Sequence, residues 1–222
     1  MASSPTGNAS VTSSASEHVS GPRAKRALDV AVSGVLLVAL APVGVLVLGA
    51  VGLDMLRCPR DRGRVLYRER RVSRGRSFDL LKFRTLREDV LVEANGHVRP
   101  FESDLANLTW AGRRVLKPMY LDELPQLWNV LRGEMSLVGP RPWPEELVDR
   151  QLARGLDYRL RVPAGWTGPA QVAKGFSRDF EGLDLAYVEL LETRPGWDVL
   201  RHDLRVLRET VRTMLRGEGL TN

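Results

Sequence analysis

The chain has 222 residues, enough for one domain with an appendage, and a formal net charge of +6. This basic balance indicates an anionic partner, which can be nucleic acid, anionic lipid or a phosphorylated substrate. The single cysteine, Cys58, excludes an intramolecular disulfide. The histidines lack the spacing of a zinc site, and neither a Walker loop nor a Rossmann glycine fingerprint is present.

The N-terminal part divides into a polar tail and an apolar run. Residues 1–22 are rich in Ser, Thr, Ala, Gly and Pro, and we expect them to be a disordered tail because they offer little apolar surface to bury. After a basic cluster at 23–26, residues 30–53 carry no charge and are bounded by Asp29 and Asp54. A run of this length can cross a bilayer as a helix.

Two features of the apolar run argue against a straight transmembrane helix. Pro42 lies at its centre and bends or breaks a helix. Both flanks are basic, and basic flanks favour the cytoplasmic side, so a straight span would place one cluster outside. We therefore predict a re-entrant helix–break–helix hairpin over residues 23–54 that turns at Pro42, with a kinked span as the alternative.

The remaining chain, residues 55–222, is soluble in character and is expected to form one catalytic domain. The overall fold class predicted is α+β, mostly helical, with a small β-hairpin or sheet. The expected elements are a hairpin at 64–81 around Gly75, a helix at 81–92, a loop at 93–108, a helix at 121–131, an extended segment holding Pro140, Pro142 and Pro144, a helix at 145–160, a loop at 163–169 and an amphipathic helix at 197–215.

Two short segments carry side chains suited to phosphate chemistry. In the first, Lys82 and Arg84 flank an aromatic residue and could meet phosphate oxygens, or could equally mark a solvated basic strand end. In the second, Asp122 and Glu123 are adjacent, so one carboxylate could attack while the other holds a metal. The alternative is an ordinary helix first turn, where acids favour the dipole.

A third segment holds Arg141 between two prolines, which limits the conformational freedom of this residue and pre-positions a cation. The alternative is a structural turn with a surface Arg.

The run LDELPQLWNVLRGEMSLVGPRP, residues 121–142, closely resembles the bacterial sugar transferase family, the monotopic phosphoglycosyl transferases. KFRT at 82–85, GWTGPAQV at 165–172 and the proline-centred apolar run match the same family. Several long motifs in the correct order make this resemblance specific.

The resemblance implies a role for individual residues. It makes Asp122 the nucleophile and Glu123 the ligand of a Mg²⁺ cofactor, and it places the helix break at Pro42. The implied substrate-binding residues, with Lys82 and Arg84 either binding phosphate or shaping the site, are Lys82, Arg84, Lys117, Pro140, Arg141, Pro142 and Gln171. The chain departs from the family pattern at Lys117, where Arg is usual, and at Ala164.

The resemblance also implies an activity: transfer of a sugar-1-phosphate from a UDP-sugar to polyprenyl (undecaprenyl) phosphate through a phosphosugar–aspartate intermediate, with release of UMP. The expected location is the cytoplasmic face of a bacterial inner membrane, on anionic lipid, with no nucleic acid partner and with a homodimer left open. The competing hypotheses are a basic membrane-anchored binding protein without activity and an inactive paralogue that keeps the fold.

Overall fold

The computed structural model describes residues 23–94, 99–173 and 179–216, so the predicted tail at 1–22 lies outside the described residues. The α+β, mostly helical prediction is confirmed: helices dominate and two small two-stranded sheets accompany them. The elements are α1 (Arg23–Ala39), α2 (Ala41–Arg57), β1 (Leu66–Ser73), β2 (Arg76–Phe83), α3 (Glu88–Ala94), α4 (Arg99–Glu102), α5 (Gln126–Arg132), β3 (Ser136–Val138), α6 (Glu145–Ala153), α7 (Tyr158–Arg161), β4 (Gly165–Thr167), α8 (Pro169–Val172), α9 (Phe180–Thr193) and α10 (Gly196–Arg216).

The apolar run forms the broken helix α1–α2. The break falls at Leu40, and Pro42 occupies the first turn of α2, where its missing N–H has no helical partner to lose. The two helices are bent by 56°, so the predicted break is present, and the bend fits either a broken span or a re-entrant loop. Within the described part of the chain no single helix has the length and apolar character to cross a membrane, although this bent pair satisfies both criteria taken together.

Both ends of the broken helix are fastened to the rest of the protein by buried aspartates. Asp29 Oδ1 accepts hydrogen bonds from the Leu137 backbone N–H at 2.9 Å and from Ser136 Oγ at 3.0 Å. Asp54 Oδ2 accepts one from the Ala111 N–H at 2.9 Å. The residues that bound the apolar run in the sequence are therefore the points at which it is attached.

The basic cluster before the run is largely internal, contrary to the simple picture of a charged flank. Lys25 is buried, and its Nζ donates to Asp203 Oδ2 at 2.6 Å and to the Val138 carbonyl at 2.9 Å. The Arg26 guanidinium donates to the last carbonyls of α5, those of Val130 and Leu131, at 2.6 and 2.7 Å. A cation at a helix C-terminus is favoured by the dipole and by the unpaired carbonyls there.

The predicted hairpin is present as β1 and β2, antiparallel and joined by a two-residue turn at Arg74 and Gly75. Both turn residues have positive φ, 52° and 67°, as in the type I′ turn that matches strand twist. The predicted helix at 81–92 is wrong in its first half, because residues 81–83 continue β2 and helix α3 begins only at Glu88. The side chain of Asn129 holds this part of the strand, accepting from the Leu81 N–H at 3.0 Å.

The predicted loop at 163–169 is also wrong, since its centre is strand β4, parallel to β3. The two strands approach so closely that a Cβ on Gly165 would lie 2.1 Å from the Gly139 nitrogen, so glycine is required there. Against this sheet and the hairpin packs the main core, which includes Phe78, Leu80, Leu127, Val130, Leu137, Val138, Tyr158, Tyr187, Val188 and Val199.

Three other predicted elements are divided in the structure. The helix at 121–131 is a 3-10 turn, Leu121–Glu123, followed by α5, with Pro125 between them. The helix at 145–160 becomes α6 and α7, separated near Gly155, whose φ is 81°. The loop at 93–108 contains α4 and a 3-10 turn, Leu105–Asn107, while residues 95–98 lie outside the described part.

Candidate active site

The adjacent carboxylates Asp122 and Glu123 lie on a 3-10 turn that follows a π-helical turn, Gly112–Leu116. Gly112 packs directly on the KFRT segment, where a Cβ would lie 2.3 Å from the Thr85 carbonyl oxygen. The turn places the two side chains in different surroundings. Asp122 is 5% exposed, whereas the Glu123 side chain is 21% exposed.

Asp122 shares its buried site with one lysine. Lys117 Nζ lies 3.5 Å from Asp122 Oδ2 and 2.9 Å from Glu102 Oε1. Burial, opposed by the charge of Lys117 and supported by that of Glu123, raises the pKa of Asp122 to about 6. Burial lowers the pKa of Lys117, but Asp122 and Glu102 outweigh it, so the net shift is upward and the ammonium persists. Glu102 had no signal in the sequence, because only the fold brings α4 to the pair.

The charged face of the hairpin lies beside this pair. Glu69 sits between Lys82 Nζ at 3.0 Å and Arg71 Nη2 at 2.5 Å. Burial opposes its ionisation, but Lys82 and Arg71 overcome this and lower the pKa of Glu69 to about 2. Lys82 is only 12% exposed, so it is not a solvated strand end. Its charge also acts to lower the pKa of Asp122.

A small cavity of about 20 Å³ is bounded by the hairpin, the proline-flanked segment and β4. Its lining consists of Arg71, Leu80, Lys82, Gln126, Arg141, Pro142, Gly165 and Trp166. Arg141 connects it to the carboxylates, because its Nη2 lies 3.6 Å from Glu123 Oε1. The indole Nε1 of Trp166 is buried and has no hydrogen-bond acceptor among the described residues. Arg71, Gln126 and Trp166 were not identified from the sequence, although Gln126 and Trp166 lie inside the motifs quoted above.

The proline-flanked segment is held through its backbone. The Pro140 carbonyl accepts from the Gly165 N–H at 2.8 Å, and the Arg141 carbonyl accepts from the Arg159 guanidinium. Arg159 stacks over the Trp143 ring at 4.1 Å from the centroid and pairs with Asp184 at 2.9 Å. The backbone of Arg141 is thus fixed, while its side chain remains half exposed.

Two predicted binding residues lie apart from the acidic pair. Arg84 is buried, and its guanidinium donates to the backbone carbonyls of Arg64 at 2.7 Å, Leu86 at 3.1 Å and Asp61. These contacts favour shaping the site over binding phosphate. Gln171 lies on α8, and both of its amide atoms are buried with no hydrogen-bond partner in the described part of the chain.

Tyr120, two residues before Asp122, is a further residue that sequence reasoning missed. Its φ of 54° is unusual for a bulky side chain, and its buried hydroxyl has no hydrogen-bond partner among the described residues. Burial, followed by the charges of Glu123 and Asp122, raises the pKa of this phenol, so it stays protonated and can donate.

The donor set at the pair suits a hard divalent cation held jointly with a substrate. Among the described residues, no three His, Cys, Asp or Glu side chains converge to form a metal cage. Mg²⁺ is commonly bound by only one or two protein carboxylates together with substrate phosphates and water. Glu123, partly exposed and paired only at 3.6 Å with Arg141, fits that arrangement.

A buried aspartate beside a lysine, a second carboxylate open to solvent and cations around a small cavity together define a site for handling phosphates. The chain belongs to the bacterial sugar transferase family, whose model matches residues 21–217. It is 36% identical over 90% of its length to the exopolysaccharide production protein ExoY of Sinorhizobium fredii, of which it covers 88%.

Two relatives have names that state a reaction. The UDP-glucose:undecaprenyl-phosphate glucose-1-phosphate transferase of Caulobacter vibrioides is 36% identical over 88% of this chain and 71% of its own length. The undecaprenyl-phosphate galactose phosphotransferase of Salmonella typhimurium is 33% identical over 88% of this chain but only 41% of its own length. This chain therefore matches less than half of the longer relative.

Proposed function

We propose that this protein transfers a sugar-1-phosphate from a UDP-sugar to undecaprenyl phosphate, as a phosphoglycosyl transferase at the membrane step of glycan assembly. The observation that carries the proposal is the buried Asp122, whose carboxylate is paired with Lys117 and lies near the charge of Lys82, while the adjacent Glu123 is paired with Arg141. The names of the relatives support the same donor and acceptor classes.

The proposed reaction has two displacements at one phosphorus. An Asp122 carboxylate oxygen attacks the sugar-bearing phosphorus, and the phosphoanhydride bond breaks so that UMP leaves with the bridging oxygen and its electron pair. An oxygen of undecaprenyl phosphate then attacks the same phosphorus, and the aspartyl–phosphorus bond breaks to restore Asp122. A soluble donor and a lipid acceptor thereby use one site in turn.

The chain's own residues would reduce the charge repulsion in this reaction. Lys82, Arg71 and Arg141 line the small cavity, and their charges would offset that of a diphosphate bound at its mouth. Tyr120 and Trp166 have buried donors available for phosphate or sugar oxygens. Glu123 would hold Mg²⁺, which supplies positive charge to the phosphoryl oxygens when bound.

The exposed apolar surface supports a membrane location on the side of the broken helix. Side chains on both sides of its bend are exposed, with Val38 at 77% and Leu46 at 73%. On α10, the predicted apolar stripe packs on the domain only in part: Leu207 contacts the main core, whereas Leu204, Val211 and Leu215 are exposed. Val199, Asp203 and Val206 form the buried face. We propose that the broken helix is re-entrant from the cytoplasmic face and that α10 rests on anionic lipid through its leucines and flanking arginines.

The test is incubation of membranes containing the protein with a panel of UDP-sugars and radiolabelled undecaprenyl phosphate, followed by identification of the lipid product. Formation of a sugar-diphospholipid with one UDP-sugar is expected. An inactive paralogue would give no product with any donor of the panel, and that result would overturn the proposal.

The role of the acidic pair is tested by release of UMP from the selected donor without acceptor. Asp122→Asn keeps the side-chain size but removes the attacking charge, so release should cease. Glu123→Gln should reduce release severely, and EDTA should do the same to the wild type. Normal release by Asp122→Asn would contradict the assignment of Asp122 as the nucleophile. Activity that resists EDTA would contradict the proposed role of Mg²⁺.

A further inference from the structure

A second cavity, of about 110 Å³, lies away from the candidate active site. It is enclosed by the first turns of α1, the turn between β1 and β2, the segment between α5 and β3, and residues 162–163. None of its lining residues lines the small cavity beside Asp122 and Glu123. A space of this size has room for several waters or for one small polyatomic anion.

Cations predominate around this cavity. Lys25, Arg26 and Arg74 line it, and Asp29 is the one carboxylate among the described lining residues. Lys25 is already neutralised by Asp203, and Arg26 binds the carbonyls of α5. Asp29 Oδ1 is engaged by Leu137 and Ser136. Counting Asp29 against Arg26 and Arg74 leaves one net positive charge at the cavity, carried by the two arginines.

Arg74 is the arginine that lacks partners. Its Nε is buried without a hydrogen-bond acceptor, and no carboxylate among the described residues forms an ion pair with its side chain. Burial, together with the nearby charges of Arg26 and Arg76, lowers the pKa of Arg74. A buried guanidinium donor without an acceptor is rare in proteins, because its desolvation is not compensated.

The backbone at Arg74 gives an independent indication. Its φ is 52°, and the first position of such a turn favours Asn, Asp or Gly over a long side chain. The hairpin turn requires this positive φ, so the choice of a long cationic side chain is the unusual feature of the position. Here the turn projects an arginine to the wall of a cavity that already contains a second guanidinium.

We propose that this cavity binds the phosphate group of an anionic ligand, with Arg74 as its main contact and Arg26 as the second. A phosphate has the size and charge for the space, and its oxygens match the unpaired guanidinium donors. The cavity is at the start of α1, directly before the apolar run, so a phospholipid headgroup can supply the phosphate as well as a soluble anion can. The inference does not depend on the transferase reaction.

The experiment uses the full chain in a phosphate-free nonionic detergent. Thermal unfolding is followed while inorganic phosphate is exchanged for chloride at constant ionic strength, and in a second arm while the micelles receive either phosphatidylglycerol or uncharged diacylglycerol. The variants are Arg74→Gln, Arg74→Lys and, as a matched control, Arg113→Gln, an exposed arginine elsewhere. A background with Arg141→Gln separates this site from the candidate active site.

We expect phosphate or phosphatidylglycerol to raise the Tm of the wild type, of Arg113→Gln and of Arg141→Gln. In Arg74→Gln the midpoint concentration should rise at least about tenfold, and Arg74→Lys should keep part of the effect because its charge remains. A response to phosphate identifies a soluble anion, and a response to phosphatidylglycerol alone identifies a headgroup. An equal response in wild type and Arg74→Gln, or no response in either arm, overturns the proposal.

Discussion

At the scale of single residues, Asp122 illustrates how a reactive carboxylate is prepared. Burial disfavours its charge, Lys117 favours it, and the balance leaves a pKa of about 6, so the group is mostly ionised at neutral pH but poorly solvated. A desolvated carboxylate is a better nucleophile than a hydrated one. Its burial in the ionised form also lowers the free energy of unfolding of the protein.

The first prediction concerns stability. Because the folded protein binds the Asp122 proton more tightly than the unfolded chain, stability falls as pH rises from about 4 to about 6. A shift from 3.8 to about 6 corresponds to about 3 kcal/mol. In metal-free buffer, Asp122→Asn should therefore raise the free energy of unfolding at pH 7 by up to that amount, and the gain should vanish below pH 4. Urea unfolding at both pH values measures it, and a loss of stability at pH 7 would contradict the account.

The second prediction concerns two neighbours of Asp122, Glu102 and Lys117, whose opposite charges shift its pKa in opposite directions. Glu102 raises the pKa of Asp122 and Lys117 lowers it. The acidic limb of the pH profile of UMP release should thus move to lower pH in Glu102→Gln and to higher pH in Lys117→Gln. Asp104→Asn, an exposed acid two residues from Glu102, is the control and should leave the limb in place. Shifts of the same sign in both variants would exclude this electrostatic coupling.

At the scale of elements, sequence patterns predicted those helices and strands whose formation depends on residues close together in the chain. The hairpin around Gly75 and the helix α10 were both predicted, because period and turn chemistry determine them. Strand β4 was missed, since three residues in a Pro/Gly-rich stretch become a strand only by pairing with β3. Lys82 and Asp122 were identified through their motifs. Glu102 and Arg74 could not be identified in this way, because only the fold brings them next to residues from distant segments of the chain.

The third prediction concerns α10 and the membrane. With Cys58→Ser as background, a polarity-sensitive fluorophore is attached at Leu215→Cys or, as a matched control, at Leu105→Cys. Both leucines are exposed, at 83% and 59%, but only Leu215 belongs to the apolar stripe of α10. In vesicles containing phosphatidylglycerol and nitroxide-labelled lipid, the probe at 215 should be quenched strongly and the probe at 105 weakly. Equally weak quenching of both probes would contradict the proposed location of α10 at the membrane surface.

At the scale of the whole molecule, the attachment of both ends of the broken helix to one body bears on topology. Asp29 and Asp54 bind the domain on either side of the bend, so the chain enters and leaves the apolar run at the same body. This geometry, together with the 56° bend, favours a re-entrant path over a kinked span.

The fourth prediction tests that path on intact cells. Single cysteines at Ser14 in the tail and at exposed Ser103 in the domain, again with Cys58→Ser, are treated with a membrane-impermeant thiol reagent. Both should be protected in intact cells and labelled after lysis, because the proposed re-entrant path keeps both on the cytoplasmic side. Labelling of the Ser14 site before lysis, with Ser103 still protected, would demonstrate a span.

The attachment of α1 also has a consequence in time. Lys25 is made early, but its partner Asp203 follows 178 residues later, which at ribosomal rates is a delay of roughly 10 to 35 s. During that interval the apolar run has emerged while its ammonium and carboxylate lack their final contacts. The contact between Lys25 and α10 therefore forms after the contacts that α1 makes with α5 and β3. A nascent chain that ends before α10 would keep the contacts of Asp29 and Asp54 with the domain but would leave the Lys25 ammonium without its carboxylate partner.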